Sequence, residues 1–252
     1  MQDTMQELCE VLDLIPRADD SIIKGILFDV GDVIINQYDN LAAEIVFILY
    51  GIRESLTMEF FADRGKTSSN PLYVFEHERA DDSTKAEDRA RRGTEDWLRR
   101  QTGNPGLELS AVQFGQIYTS IYKAENPEII LLMRTLGQMG YFVGILSNTN
   151  SIHFRFIMEN VPGLKHVVNS KHIYASHITG HAKPSAESYL RPVRDFGIKP
   201  EQCLFVDNSP SNGRGARRVG LKFVLCDPKR IFDAVKAIVG LIAGTSLIRI
   251  ST

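Results

Sequence analysis

The sequence predicts an α/β fold, a doubly wound parallel sheet that carries an inserted α-helical domain. Short apolar runs alternate with segments of helical periodicity, which is typical of parallel strands joined by crossover helices. Polar residues follow directly after each apolar run, and a long stretch of helical patterns separates the first run from the second. Because parallel strands end at one edge of their sheet, these polar residues are expected to lie together where ligands bind.

The core strands are predicted from four apolar runs of similar design. They span residues 22–28, 141–146, 203–206 and 221–225. Each run is short and continuous, as expected for strands that are buried on both faces of a sheet. The polar segments that follow them begin at Asp29, Ser147, Asp207 and Cys226.

Helices are predicted between these strands and at the N-terminus. Residues 127–139 form a helix with a proline in its first turn, and residues 211–220 form a short helix that ends at a glycine. Pro184 suits the first position of a further helix, which Pro192 is expected to kink or interrupt. Residues 1–20 have a short amphipathic pattern, with apolar positions at Leu8, Val11, Leu12 and Ile15.

A helical insertion is expected between the first and second core strands. Helical patterns cover residues 41–50 and the strongly charged segment 84–100. The arginine cluster Arg89–Arg92 would attract phosphate if it were free, but the acidic residues interspersed around it favour a solvated helix face. The predicted organisation is an N-terminal extension (1–21), a core (22–36 and 126–252) and the insertion (37–125).

Composition and charge narrow the class of protein. The 252 residues have a formal net charge of −2, with 29 basic and 31 acidic residues, so no nucleic acid or membrane surface is an expected partner. The three cysteines are widely spaced, which favours reduced thiols over disulfides or a zinc site. The acidic N-terminus lacks a signal-peptide pattern, and the apolar segment 238–244 suits a buried helix end better than a membrane span. The expectation is a soluble, cytoplasmic protein.

Two of the polar segments contain groups that suit phosphate chemistry. The Asp29 carboxylate is expected to be exposed at the edge of the sheet, where Gly31 lets the backbone approach a ligand closely. A carboxylate can attack a phosphoryl group and form an aspartyl-phosphate, but an aspartate here also suits a simple turn. Ser147 and Asn148 offer a hydroxyl and backbone amides to phosphate oxygens, or they cap the next turn.

Two further segments would complete such a site. A lysine at 183, held just before a helix, would neutralise charge on a transferring phosphoryl group and on Asp29. Oxygen ligands from Asp207, Asn208 and Asp29 would share one magnesium ion, which prefers oxygen donors. Taken singly, Lys183 also fits an exposed surface position, and the residues after Asp207 also fit a turn. Their order at successive strand ends favours the functional interpretation.

In this order the four segments resemble those of the haloacid dehalogenase superfamily. The motifs are ILFDVGDVI, GILSNTN, HAKPSAESY and CLFVDNSPSNGRGA. They lie within residues 22–36 and 141–226, roughly half of the chain, and together they are highly specific. The chain is most similar to a subgroup that includes sugar-phosphate phosphatases, in which a helical cap follows the first motif. The resemblance implies a Rossmann-like core with residues 37–125 as the cap.

The resemblance also implies a role for each site residue. Asp29 and Lys183 are the catalytic residues, Ser147 and Asn148 bind the phosphate, and Asp29, Gly31, Asp207 and Asn208 hold Mg²⁺. The function it implies is that of a magnesium-dependent phosphatase, which acts on a small phosphorylated metabolite through an aspartyl-phosphate. The cap would close over the site, exclude water and select the leaving group.

Two positions depart from the family pattern. Most superfamily phosphatases have a second aspartate where Gly31 stands, although some in the similar subgroup have glycine, and here Asp32 follows one residue later. Asn208 stands where an aspartate is usual, and its neutral amide is expected to bind Mg²⁺ more weakly. Two alternatives stay open: a pseudoenzyme with a binding or assembly role, and a metal-independent haloacid dehalogenase. His153 and His181 border the expected site and are interpreted as structural or surface residues.

Overall fold

A parallel five-stranded sheet forms the centre of the computed structural model, which describes residues 2–37, 39–53, 57, 59–60 and 83–245. The strands are β1 (Gly25–Phe28), β2 (Ile35–Gln37), β3 (Tyr122–Glu125), β4 (Phe142–Ser147), β5 (Ile173–Ala175), β6 (Cys203–Asp207) and β7 (Lys222–Leu225). The order in the central sheet is β5–β4–β1–β6–β7, with every pairing parallel. The predicted α/β class and its four core strands are confirmed.

Helices flank this sheet and fill the insertion. They are α1 (Gln2–Leu12), α2 (Asp39–Tyr50), α3 (Ser83–Thr102), α4 (Ala111–Thr119), α5 (Pro127–Gln138), α6 (Ser151–Asn160), α7 (Pro162–Val167), α8 (Ser176–Thr179), α9 (Ala186–Phe196), α10 (Pro210–Arg218) and α11 (Ile231–Ala243). The helices predicted at 1–20, 41–50, 84–100, 127–139 and 211–220 correspond to α1, α2, α3, α5 and α10.

The side chains of the sheet alternate between two helical layers, which is the doubly wound arrangement. Ile26 and Phe28 of β1 belong to the hydrophobic core that includes the apolar faces of α1, α5 and α11. Leu27, between them in sequence, belongs to a second core with Tyr189 of α9 and Phe205 of β6. The sheet is therefore buried on both faces, as the continuous apolar runs predict.

The first strand is shorter than the apolar run that predicts it. Ile22 is 78% exposed, and β1 begins only at Gly25. The Lys24 ammonium donates to the carbonyl of Ala18 at 2.6 Å, which ties the segment before β1 to the preceding 3₁₀ turn (Ala18–Asp20). The Lys24 backbone bonds to both neighbours of β1, because its N–H donates to the Gln202 carbonyl at 2.8 Å and its carbonyl accepts from the Phe142 N–H at 3.0 Å.

The prediction that Pro184 occupies the first position of a helix is wrong, and the helix is not interrupted at Pro192. Helix α9 begins at Ala186 after the N-cap Ser185, so Pro184 precedes the helix and joins Lys183 through a cis peptide bond. The side chain of Asn148 binds both the N–H and the C=O of Lys183, which holds this segment apart from the helix. Pro192 lies inside α9, and the helix continues to Phe196. Its buried apolar face outweighs the hydrogen bond that the proline cannot donate.

The described part of the insertion is mainly helical. Helices α2, α3 and α4 lie between β2 and β3, which pair as a two-stranded antiparallel sheet next to the core. Residues 61–82 lie outside the described residues. In α3, Arg91 and Arg92 each lie 2.7 Å from the Asp88 carboxylate, so these two arginines of the cluster predicted as a solvated helix face are paired with an acidic residue of the same helix. The role of residues 37–125 as a cap stays a prediction.

The segment at 238–244 is the buried end of α11, as predicted, with Ile238, Val239 and Ile242 in the core. In the ranges that the structure describes, no helix is both long and apolar enough to cross a membrane. The three cysteines are free thiols, and two of them, Cys203 and Cys226, are buried.

Candidate active site

Three core strands bring the predicted site residues to one edge of the sheet. Strand β1 lies between β4 and β6 and pairs with both. Asp29 directly follows β1, Ser147 ends β4 and Asp207 ends β6. The Asp29 N–H donates to the Val206 carbonyl at 2.9 Å, which extends the pairing of β1 and β6 to the site itself.

The side chain of Lys183 is buried and contacts residues at all three strand ends. Its residue exposure is only 5%, and its ammonium lies 2.7 Å from Asp29 Oδ1 and 2.8 Å from Asp207 Oδ2. It also donates to the Leu146 carbonyl at 3.0 Å. Three acceptors match the three protons of an ammonium group, so the buried cation is fully hydrogen-bonded. The alternative of an exposed surface lysine is wrong.

Asp29 is more buried than predicted, with 8% of the residue exposed. Its neighbours Lys183 and Asp207 occupy the space beside it, which excludes most of the water from the carboxylate. Burial raises the pKa of Asp29 to about 6, and the Asp207 carboxylate acts in the same direction, while Lys183 opposes both. Burial would lower the pKa of Lys183, but the two carboxylates outweigh it and hold that pKa above its ordinary value.

Asp207 is fixed by the loop that follows it. Its Oδ1 accepts from the Ser209 N–H at 2.6 Å, and its Oδ2 accepts from Asn212 Nδ2 at 3.0 Å in addition to Lys183. Sequence reasoning missed Asn212 as a member of the site. The position of Asn212 in the sequence could have indicated this contact. It lies five residues after Asp207, in the first turn of α10, and this spacing brings a helical side chain back to the strand end.

Ser147 and Asn148 lie at the same edge but differ in accessibility. Ser147 is buried, whereas Asn148 is exposed. The Asn148 side chain accepts from the Lys183 N–H at 2.8 Å and donates to its carbonyl at 2.9 Å. Its side-chain amide therefore holds both backbone groups of Lys183.

The loop after β4 is held by a residue that the sequence did not single out. Ser176 Oγ accepts from the Thr149 N–H and donates to the Thr149 carbonyl, both at 3.0 Å. Asn150 caps α6 by accepting from the His153 N–H at 3.0 Å. These bonds fix the backbone that follows Ser147, which a phosphate-binding loop requires.

The two histidines have the roles expected of structural or partly exposed residues. His153 is buried, stacks on Tyr118 with ring centroids 4.1 Å apart, and bonds the Tyr118 carbonyl through Nε2 at 3.0 Å. It packs α6 of the core against α4 of the insertion. His181 is partly buried and shares no described contact with Asp29 or Lys183.

The oxygen donors at this edge suit a hard divalent cation. The Gly31 carbonyl follows Asp29 in the turn after β1, and among the described residues no backbone N–H outside the regular strands and helices donates to it. Asp29 contributes one carboxylate oxygen that Lys183 does not hold, and Asp207 has acceptor capacity left beyond its three hydrogen bonds. The residues present therefore fit Mg²⁺, although they contain fewer carboxylates than the family pattern.

The side chains of Asn208 and Asp32 form a hydrogen bond at the site. Asn208 Nδ2 donates to Asp32 Oδ2 at 3.3 Å, although the two residues are 176 positions apart in the chain. Asp32 follows Gly31 in the turn after β1 and has a left-handed backbone, with φ of 58°. From the sequence, Asp32 is notable only as an aspartate one residue after Gly31, the position where most superfamily phosphatases have their second aspartate.

Comparison with known proteins agrees with this geometry. The family model described as haloacid dehalogenase-like hydrolase matches residues 23–220. Flavin mononucleotide hydrolase 1, a chloroplast protein of Arabidopsis thaliana, is 38% identical over 48 residues, a match that spans 19% of this chain and 20% of that relative. The chain thus spans about a fifth of the length of this curated relative.

Two solved structures have the same fold. A HAD family enzyme of Bacteroides thetaiotaomicron, in complex with magnesium and inorganic phosphate, has a TM-score of 0.63 at 22% identity, over 81% of this chain and 94% of its own. A predicted HAD-like hydrolase from Porphyromonas gingivalis has a TM-score of 0.64 at 23% identity, over 86% of this chain and 98% of its own. Because the family model covers most of the chain, the protein belongs to the haloacid dehalogenase-like hydrolases.

Proposed function

We propose that this hydrolase is a magnesium-dependent phosphatase that acts on a small phosphorylated metabolite. The observation that carries the proposal is the buried Lys183 ammonium, which lies 2.7 Å from Asp29 and 2.8 Å from Asp207 where three strands end. A cation in that position holds a carboxylate ready for attack and offsets the negative charge of a phosphoryl group. The family membership and the donor set at the same edge support it.

Asp29 is the nucleophile in this proposal. Lys183 binds Oδ1, so Oδ2 attacks phosphorus while the bond from phosphorus to the leaving-group oxygen breaks on the opposite side, and that oxygen takes a proton from solvent. The Ser147 hydroxyl and the Asn148 backbone N–H bind the phosphate oxygens, and Lys183 stabilises the resulting aspartyl-phosphate. Water then hydrolyses this acyl phosphate and regenerates the Asp29 carboxylate.

Asp29, the Gly31 carbonyl, Asp207 and Asn208 would hold Mg²⁺ beside the phosphate. When bound, the ion supplies positive charge that neutralises the phosphoryl oxygens as they approach a carboxylate. The magnesium and phosphate in the Bacteroides structure support this assignment.

The chemistry of the site and the curated relative support a small phosphorylated metabolite as the substrate class. Flavin mononucleotide is a small phosphorylated metabolite, and the relative is named for its hydrolysis. The insertion, with α2, α3 and α4 in its described part, would act as the cap that selects the leaving group.

Turnover of a phosphomonoester panel tests the proposal. The panel contains sugar phosphates and flavin mononucleotide, each assayed with Mg²⁺ and with EDTA. Native protein is expected to release phosphate only with Mg²⁺, and Asp29→Asn to lose turnover by at least about 10³-fold, since it removes the attacking carboxylate. Asp227→Asn is the control, because Asp227 is an exposed aspartate that follows the neighbouring strand β7. Equal turnover in native protein and Asp29→Asn would reject Asp29 as nucleophile, and no turnover of any ester would favour the pseudoenzyme.

A further inference from the structure

The chain lacks a carboxylate at two places in the proposed magnesium site, yet it has one that the family pattern does not include. Gly31 has no side chain, and Asn208 has a neutral amide. Asp32 lies next to Gly31 in sequence, and its carboxylate contacts the Asn208 amide at 3.3 Å. A carboxyl group is therefore present beside position 208, on a different side chain.

The backbone around Asp32 is held in the conformation that this contact uses. Asp32 is the one non-glycine residue with positive φ in the described ranges. Aspartate tolerates this left-handed region better than most residues. The Asp32 N–H donates to the Ile35 carbonyl at 2.7 Å, and the N–H of Ile35 donates to Val30 at 3.0 Å. This closed turn fixes the backbone of Asp32, whose carboxyl group contacts Asn208, the residue directly after β6.

The contact also decides which way the Asn208 amide is oriented. An amide has a donor side and an acceptor side, and either can face a metal when nothing else constrains the group. An ionised carboxylate only accepts hydrogen bonds, so Asp32 selects the NH₂ side of Asn208. The amide oxygen Oδ1 is then left as a ligand, whereas the opposite orientation would present N–H groups to a cation.

We infer that Asp32 is a positioning residue of the magnesium site, which orients Asn208 and returns the negative charge that an aspartate at 208 would have carried. The inference rests on the proposed function for the presence of Mg²⁺. Asp32 and Asn208 then act as one unit. Asp32 carries the negative charge and Asn208 the ligand oxygen, whereas an aspartate at 208 would carry both. Partners of metal ligands that act in this way contribute measurably to metal affinity.

Calorimetric titration of the full chain with Mg²⁺ alone, without substrate, tests this inference. Asp32→Asn keeps a residue that tolerates left-handed backbone but removes the charge, so it is expected to weaken Mg²⁺ binding about 10- to 100-fold. The double variant D32N/N208D places one carboxylate back at 208 and is expected to recover affinity to within a few-fold of native. Asp227→Asn, which removes an exposed charge at the same sheet edge, is the control and should leave affinity nearly unchanged.

Two further measurements make the outcome decisive. Asp32→Gly retains the backbone conformation without the side chain, and thermal unfolding of the metal-free variants shows whether each is folded. Native affinity in folded Asp32→Asn and Asp32→Gly, no recovery in the double variant, or no Mg²⁺ binding by native protein would overturn the inference. Native protein that binds Mg²⁺, loses affinity in Asp32→Asn and hydrolyses no phosphomonoester would support it while rejecting the phosphatase function.

Discussion

Lys183 connects two carboxylates that would otherwise repel each other in a space with little water. The side chains of Lys183 and Asp207 are 1% and 0% exposed, and that of Asp29 is 12% exposed. A buried ion pair offsets the free-energy cost of its desolvation only when its geometry and hydrogen bonding are good. Here the ammonium has three acceptors, and Asp207 has two further donors in Ser209 and Asn212.

Replacing Lys183 by methionine is expected to lower the free energy of unfolding by about 3–5 kcal/mol. The variant keeps most of the side-chain volume but leaves Asp29 and Asp207 without the cation between them. Urea unfolding near neutral pH measures the change, and turnover of the native substrate should be lost in the same variant.

Lys222→Met is the control for the lysine substitution. Lys222 is exposed on β7, so its replacement should change the free energy of unfolding by less than about 0.5 kcal/mol. A similar, small effect for both lysines would mean that Lys183 does not hold the two carboxylates together in solution.

At the residue scale, the sequence predicts the identity of the site residues better than their surroundings. Asp29, Ser147 and Asp207 were found because each follows an apolar run, and the run predicts a strand. The burial of Lys183 could not be found in this way, because no local pattern distinguishes a buried lysine in a loop from an exposed one. The contact between Asp32 and Asn208 could not be predicted either, because it forms only when β1 and β6 become neighbours.

Helix α10 lies close to the Lys183 segment because two of its residues have no side chain. A Cβ added at Gly215 would lie 2.8 Å from Pro184 Cβ and 2.8 Å from the Tyr189 hydroxyl. A Cβ added at Gly213 would lie 2.3 Å from the Phe223 ring. These glycines let α10 approach both β7 and the segment that presents Lys183, at the cost of helix propensity.

Gly215→Ala is expected to lower the free energy of unfolding by about 1–3 kcal/mol, because the new methyl group overpacks the contact with Pro184. This loss should occur even though alanine favours a helix by about 1 kcal/mol over glycine. Because Pro184 follows Lys183 directly, turnover should fall as well. Chemical denaturation and steady-state kinetics measure the two effects.

Gly115→Ala in α4 is the matched control for this helix substitution. Apart from its chain neighbours and the backbone of α4 itself, no described residue has an atom within 4 Å of a Cβ built there, so the variant should gain about 0.5–1 kcal/mol in stability. If Gly215→Ala were stabilised to the same extent, the close approach of α10 to Pro184 would not exist in solution.

At the element scale, long periodic segments were predictable and short strands were not. Helices α3 and α5 follow from their patterns because each spans several turns. Strands β2, β3 and β5 were missed, since three or four residues are too few to show a period. The continuation of α9 through Pro192 depends on the packing of Tyr189, Val193 and Phe196 against the sheet, which no local rule includes.

The N-terminal segment is part of the core of the whole molecule. Leu8, Leu12 and Ile15 are buried in the same hydrophobic cluster as the inner faces of α5 and α11. The Lys236 ammonium donates to the Glu7 carboxylate at 2.6 Å, which adds a polar contact between α11 and α1 at the rim of this packing. Helix α1 therefore packs against α5 and α11, and its apolar side chains extend the core on that side of the sheet.

The substitution Leu8→Ala tests whether α1 packs on the core of the whole molecule. Leu8 is 1% exposed, so its truncation is expected to lower the free energy of unfolding by about 2–5 kcal/mol through lost burial and a cavity. Met5→Ala, at a position that is 50% exposed on the same helix, should change it by less than about 0.5 kcal/mol. Urea unfolding compares the two, and turnover per folded molecule should be equal in both, since α1 packs against α5 and α11. Equal stability of the two variants would mean that α1 does not pack on the core, and the face it covers would then be open to a partner.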